Sequence, residues 1–128
     1  MTDTRQALAD AFKVIHPEPS REWETWDNAR FAEQREEDKA SFMRWNDWRV
    51  GKQARFRRFL DAEAWTDAAM CLVQPLIEAG WTGELGLLGT VNLRHPTDRR
   101  KDVSAVNHME PALALAQACL KARENADG

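Results

Sequence analysis

The distribution of proline and glycine restricts the fold of this chain more than any other feature. Between residues 20 and 62 the sequence holds no proline and a single glycine, Gly51. Because proline breaks helices and glycine weakens them, this segment is predicted to be helical, either as one long helix or as two helices broken near Gly51. The prolines of "HPEPS", residues 16–20, make a rigid connector in front of it.

A short helix is predicted before the connector, over residues 2–15. Leu8 and Phe12 fall at helical spacing, and Thr2 or Thr4 is placed to cap the N-terminus.

The second half begins with another helix. "AWTDAAMCLVQPLIEAGW" predicts a helix that is capped by Thr66, closed by Gly80, and kinked or divided by Pro75. Its apolar residues recur at helical spacing, so one face is expected to be buried.

A sheet and a closing helix follow. "WTGELGLLGTVNLRH" predicts a β-hairpin with strands over residues 81–88 and 90–94 that turns near Gly89. "VSAV", residues 103–106, predicts a short third strand. "MEPALALAQACLKAR" predicts a final helix with Pro111 in its first turn, buried on most sides because it is almost entirely apolar.

Together these elements indicate an α+β fold. An N-terminal helical part, residues 1–62, precedes an α-β-β-α unit, residues 63–128, whose helices pack on a small antiparallel sheet. A chain of 128 residues suffices for one modest core, so both parts are expected to form one folded domain.

Composition indicates the cellular compartment in which the protein is expected. The chain is 43% apolar and 30% charged, its net charge is −3, and no apolar run approaches the ~18 residues that cross a bilayer. The first residues lack the apolar centre of a secretion signal. We therefore expect a cytoplasmic protein without membrane contact, in which Cys71 and Cys119 are buried thiols.

The segment "RWNDWRVGKQARFRRF", residues 44–59, carries a net charge of +5 and four aromatic residues. One interpretation is a helix with its aromatic side chains in the core and its arginines in water. The other is a nucleic-acid surface, on which exposed aromatic rings would stack on bases. The basic residues proposed to contact a partner are Arg49, Lys52, Arg55, Arg57 and Arg58.

Tryptophan is unusually frequent, with six copies and no tyrosine. Trp45 is predicted to be buried within the apolar stripe that it shares with Trp48. Trp23 and Trp26 would form a partner-binding patch if they are exposed, because tryptophan is enriched at interface hot spots.

The polar loop "RHPTDRR", residues 94–100, is either a solvated loop or a contact for a phosphate or an acidic partner through Arg99 and Arg100. His95 and His108 do not have the spacing of metal ligands on one regular element. No catalytic arrangement can be placed, so no metal, cofactor or enzymatic activity is expected.

Three pieces of sequence resemble a group of small uncharacterised proteins from phages and prophages, often described as "ABA sandwich" proteins. They are "WTDAAMCLVQPLIEAGW", the glycine-rich hairpin and "EPALALAQACLKAR", all within residues 64–124. The resemblance implies a helix–sheet–helix fold and a phage origin. It implies no catalytic residues.

These observations favour a non-enzymatic phage or prophage accessory protein that binds a host protein or complex, with inhibition of a host defence complex, as by anti-CRISPR proteins, as one form of this function. The alternative is a small nucleic-acid-binding regulator that uses residues 49–58. An enzyme with an unfamiliar site is the third class. A symmetric homodimer is also expected, because so small a sheet leaves two strand edges to cover.

Overall fold

The chain folds as an α+β protein in a computed structural model, which describes residues 3–20 and 36–127. Helices precede and follow a three-stranded antiparallel sheet, as the sequence predicts. In chain order the elements are α1 (Thr4–Ile15), α2 (Glu36–Trp48), a π-helical segment (Arg49–Gln53), α3 (Ala54–Asp61), α4 (Trp65–Glu78), β1 (Thr82–Leu85), β2 (Thr90–Arg94), a 3-10 turn (Arg99–Lys101), β3 (Val103–Val106) and α5 (Pro111–Asp127).

Helix α1 begins one residue away from the predicted caps. Asp3, rather than Thr2 or Thr4, is the N-cap, and its carboxylate accepts a hydrogen bond from the backbone N–H of Gln6. Asp serves here for the same reason as threonine, since a short side-chain oxygen satisfies a free N–H of the first turn.

The described part of the long helical region is one continuous run with an irregular turn. Between α2 and α3, residues Arg49–Gln53 form a π-helix that contains Gly51, and the backbone N–H of Ala54 bonds to the carbonyl of Arg49. Neither a straight α-helix nor two separate helices describes this run. Its predicted beginning near Ser20 falls at the edge of the described residues.

Helix α4 corrects two details of the prediction. It begins at Trp65, so Thr66 lies inside the first turn, and the N-cap Ala64 makes no side-chain cap bond. Pro75 lies within the last turn and does not divide the helix. Gly80, with a φ of +94°, ends it as predicted.

The proline in α4 leaves a carbonyl without its usual helical donor. Pro75 has no N–H to donate to the carbonyl of Cys71, four residues earlier. His16, at the C-terminus of α1, supplies the donor instead, with its Nε2 3.0 Å from that oxygen. The bond also fixes α1 against α4.

The sheet has the strand order β1-β2-β3, with antiparallel pairing throughout. The third strand, Val103–Val106, is confirmed, whereas β1 is shorter than predicted. At the start of the predicted strand, Trp81 belongs to the end of α4, because its N–H bonds to the carbonyl of Leu76. At the end of the predicted strand, residues Gly86 to Gly89 form a turn. One face of the sheet is buried through Val91, Leu93 and Ala105.

Helix α5 begins at Pro111 as predicted and contacts α1, α4, β2 and β3. Its small side chains permit this close approach, because alanines occupy most of its buried positions. Helix α5 covers one face of the sheet, while Asn92, Arg94 and Ser104 are exposed on the opposite face. The core joins residues from both halves of the chain: Leu8, Phe12, Phe56, Leu60, Leu72, Trp81, Val91, Leu93, Leu115 and Cys119 are among its buried members.

Candidate functional site

The basic segment contributes its aromatic residues to the core most completely in α3. Phe56 and Leu60 are buried, and the ring of Phe56 stacks on Phe12 with centroids 4.4 Å apart. For α3 the interpretation of core aromatics and solvated arginines is therefore confirmed.

Trp45 is only half-buried, so the prediction that it is buried is wrong. Its indole Nε1 donates to Glu18 at 2.7 Å, and the guanidinium of Arg49 lies 5.2 Å above its ring. Trp48, one turn later, packs against the core and donates to the carbonyl of His16 at 2.9 Å. The apolar stripe of α2 thus enters the core only where the helix approaches α1.

The basic side chains that the sequence suggested as partner contacts are exposed, but they do not form one surface. Lys52 and Arg55 line a cavity of about 420 Å³ against α4, whereas Arg57 lines a cavity of about 490 Å³ against α1. Arg55 lies over the ring of Phe59 at 6.0 Å. Within the described residues, no carboxylate approaches Lys52, Arg55, Arg57 or Arg58 within 4.0 Å.

Arg99 and Arg100 belong to a separate surface. Their 3-10 turn contacts α5, while the π segment contacts α2 and α3. Asp98 caps the turn and bonds to the guanidinium of Arg100, and these bonds lower the pKa of Asp98. The loop around them is internally bonded, because His95 Nδ1 accepts from the backbone N–H groups of Thr97 and Asp98.

An apolar end of the sheet was not anticipated from the sequence. Leu87 and Leu88, in the turn between β1 and β2, and Met109, before α5, are the most exposed large apolar side chains of the described residues, and Met109 is 93% exposed. We call these three residues the apolar tip.

The backbone holds the apolar tip in place. The N–H of Asn107 bonds to the carbonyl of Gly89 at 2.9 Å, and Nδ1 of His108 lies 2.6 Å from the carbonyl of Leu88. Gly89 has a φ of +79°, and a Cβ there would lie 2.1 Å from the carbonyl oxygen of Asn107. Only glycine therefore allows the two loops to touch.

The buried and partly buried titratable groups of the described residues do not form a reactive cluster. Cys119 is buried as predicted, whereas Cys71 is only partly buried. Burial raises the pKa of the Cys119 thiol to about 12 and raises the pKa of Cys71, so both thiols are protonated at neutral pH. Burial also lowers the pKa of His16, which keeps its ring neutral. In residues 3–20 and 36–127, no three His, Cys, Asp or Glu side chains lie close enough to hold a metal ion.

Two proposed contacts, Trp23 and Trp26, lie outside the described residues. Among the described helices, none has the length and the apolar character that crossing a bilayer requires. Comparison of the chain with protein families, curated proteins and solved structures gives no match. The resemblance to phage "ABA sandwich" proteins therefore stays a prediction.

Proposed function

We propose that this protein acts by binding another protein through its apolar tip. The observation that supports the proposal is the exposure of Leu87, Leu88 and Met109 on two loops that hydrogen-bond to each other. Exposed apolar side chains grouped at one place are typical of interaction sites.

The rigidity of the tip strengthens the proposal. Gly86, Gly89 and Asn107 hold both loops through backbone bonds, including Gly86 N–H to the carbonyl of Thr90 at 2.7 Å. A surface ordered before binding loses little conformational entropy when a partner covers it. The partner is expected to present a complementary apolar pocket; a host protein or defence complex bound by a phage accessory protein is the specific form that we propose.

The test uses the full chain, immobilised and exposed to bacterial lysate with and without nuclease. We expect a nuclease-resistant protein that is retained by the wild type and lost by Leu87→Asp and by Met109→Asp. Val14→Asp is the matched control, because Val14 is an exposed apolar residue on α1, away from the tip. With the captured protein purified, Leu87→Asp should raise the dissociation constant at least about tenfold, which is a loss of ~1.4 kcal/mol. Equal capture by all four proteins would refute the role of the tip.

Nucleic-acid binding is a second proposal, supported by one observation. The exposed bases Lys52, Arg57 and Arg58 have no carboxylate partner in the described part of the chain, and a basic groove is the usual contact for a phosphate backbone. Because these bases diverge around α3, we expect no binding to duplex DNA tighter than micromolar at physiological salt. A nanomolar gel shift that weakens steeply between about 50 and about 200 mM salt would favour nucleic-acid binding over protein binding.

A further inference from the structure

The two edges of the sheet differ in how they are covered. At the β3 edge, Lys121 Nζ donates to the carbonyl of Ser104 at 3.2 Å, and Asn125 donates to the carbonyl of Lys101 at 3.3 Å. A lysine at an edge opposes further strand pairing. Within residues 3–20 and 36–127, no strand pairs with the β1 edge, and all four residues of β1 are exposed.

The helical layer is wider than the sheet beneath it. Packed helices lie about 8–10 Å apart and strands about 4.8 Å apart, so two helices cover roughly four strands. This sheet has three. Because α5 contacts β2 and β3, α4 is the helix toward β1, and residues of α4 and β1 line one groove.

An apolar groove of about 420 Å³ lies between α4 and β1. Gly83 adds no side chain to it, and Leu85 of β1 and Met70 and Ile77 of α4 remain about half exposed along it. A fourth strand beside β1 would place alternate side chains in this groove and cover all three residues.

We propose that the fourth strand is β1 of a second copy of this chain. A two-fold axis perpendicular to the sheet makes the two β1 strands antiparallel and keeps both helical layers on one face. Each copy then supplies the strand that the other lacks, and α4 of one copy meets α4 of the other. This goes beyond the proposed function, since the apolar tip is left free for a different protein.

Charge selects the register of this pairing. Residues of the buried face must oppose each other, so the axis passes through one of the four β1 residues. An axis at Thr82 or at Leu85 places Glu84 opposite Gly80 or Gly86, beyond the ends of the strand. An axis at Glu84 opposes two like charges, which is unfavourable. An axis at Gly83 places Glu84 opposite Thr82 of the second copy, beside which Arg94 lies in the sheet. Glu84 already lies 3.5 Å from its own Arg94, so the interface would alternate acids and bases.

Light scattering of the full chain at tens of micromolar tests the proposal. We expect twice the mass of 14.7 kDa for the wild type, and the single mass for Leu85→Lys and for Ile77→Lys. Val106→Lys, which is exposed on the opposite edge, is the matched control and should stay dimeric. Circular dichroism must show that each variant is folded. A monomeric wild type, or folded Leu85→Lys and Ile77→Lys variants that still dimerise, would overturn the proposal.

A charge exchange tests the register. Arg94→Glu should weaken the dimer at least about tenfold, and adding Glu84→Arg should restore it, since the exchange recreates the alternating charges. Failure of the double variant to recover the dimer would overturn the register at Gly83. Leu87→Asp should leave the dimer intact, so failure of the tip and failure of this interface are distinguishable.

Discussion

The hydrogen bond from His16 to the carbonyl of Cys71 exists because Pro75 cannot donate to it, and this dependence can be measured. The perturbation is a double-mutant cycle with His16→Phe, which removes the donor while keeping a ring, and Pro75→Ala, which returns an N–H to the helix. If the structure explains the bond, the cost of losing His16 must depend on the residue at position 75.

The expected magnitude follows from the partners of this carbonyl. With Pro75 present, His16→Phe leaves a partly buried oxygen without a donor, which costs about 2 kcal/mol of unfolding free energy. In the Pro75→Ala variant, the restored N–H lies in the last turn of α4 at the position from which a helix bonds to the carbonyl of Cys71. The cost of His16→Phe should then fall by about 1–2 kcal/mol.

Urea unfolding followed by circular dichroism near neutral pH gives the four free energies. Pro111→Ala is the control in place of Pro75→Ala, because Pro111 is the first residue of α5, where no N–H is required. Its coupling to His16 should stay below about 0.5 kcal/mol, as for independent sites. An equally small coupling between His16 and Pro75 would refute the idea that His16 replaces the donor that Pro75 lacks.

Three further predictions concern stability. Gly89→Ala should destabilise the fold by about 2–4 kcal/mol, because residue 89 has a left-handed backbone and its Cβ would clash with the neighbouring loop. Gly51→Ala, which has open space at its Cβ, should be neutral or stabilising by up to about 1 kcal/mol. Equal effects of the two substitutions in thermal melts would be inconsistent with the tip geometry. Phe56→Ala should cost about 3–5 kcal/mol of unfolding free energy in urea, and Trp45→Ala should cost clearly less because Trp45 is only partly buried. The reverse order would contradict the assigned core. Because burial lowers the pKa of His16 from 6.5, the unfolded chain binds the proton first as pH falls. The wild type should therefore lose stability relative to His16→Phe below about pH 6.5. Parallel profiles of unfolding free energy against pH would show that the ring is not buried.

Local patterns predicted the elements well where one signal dominates. Pro111 fixed the start of α5, Gly80 the end of α4, and the apolar "VSAV" the third strand. Caps were less predictable, since Asp3 and its threonine neighbours offer the same chemistry one residue apart. The end of α3 depends on Glu63, which follows the C-cap Ala62 and has a φ of 57° that no sequence rule would assign to a glutamate.

The candidate sites depend on contacts between distant residues, and these were not readable from the sequence. Exposure of the basic residues follows from helical periodicity, but their divergence around α3 requires knowing where α1 and α4 pack. Two leucines between Gly86 and Gly89 were a signal for the apolar tip, because apolar residues in a tight turn have no core to enter. The contact of Gly89 with Asn107 that completes the tip joins loops on either side of two strands.

The π-helical segment determines which side chains of the long helical run face α1. Trp48 and Phe56 are eight residues apart, which in a regular α-helix leaves them about 80° out of phase. Both nevertheless contact Phe12, with ring centroids at 6.4 Å and 4.4 Å. A π turn takes up one additional residue and so removes roughly that offset. A regular α-helix through all of these residues would turn Trp48 about 80° away from α1. Deleting Gly51 would instead leave the two residues seven apart, about 20° out of phase, so the shortened helix would lose the π turn and still direct both rings to α1. The π turn therefore accommodates one additional backbone residue while keeping the rotational phase between the two halves of the helix.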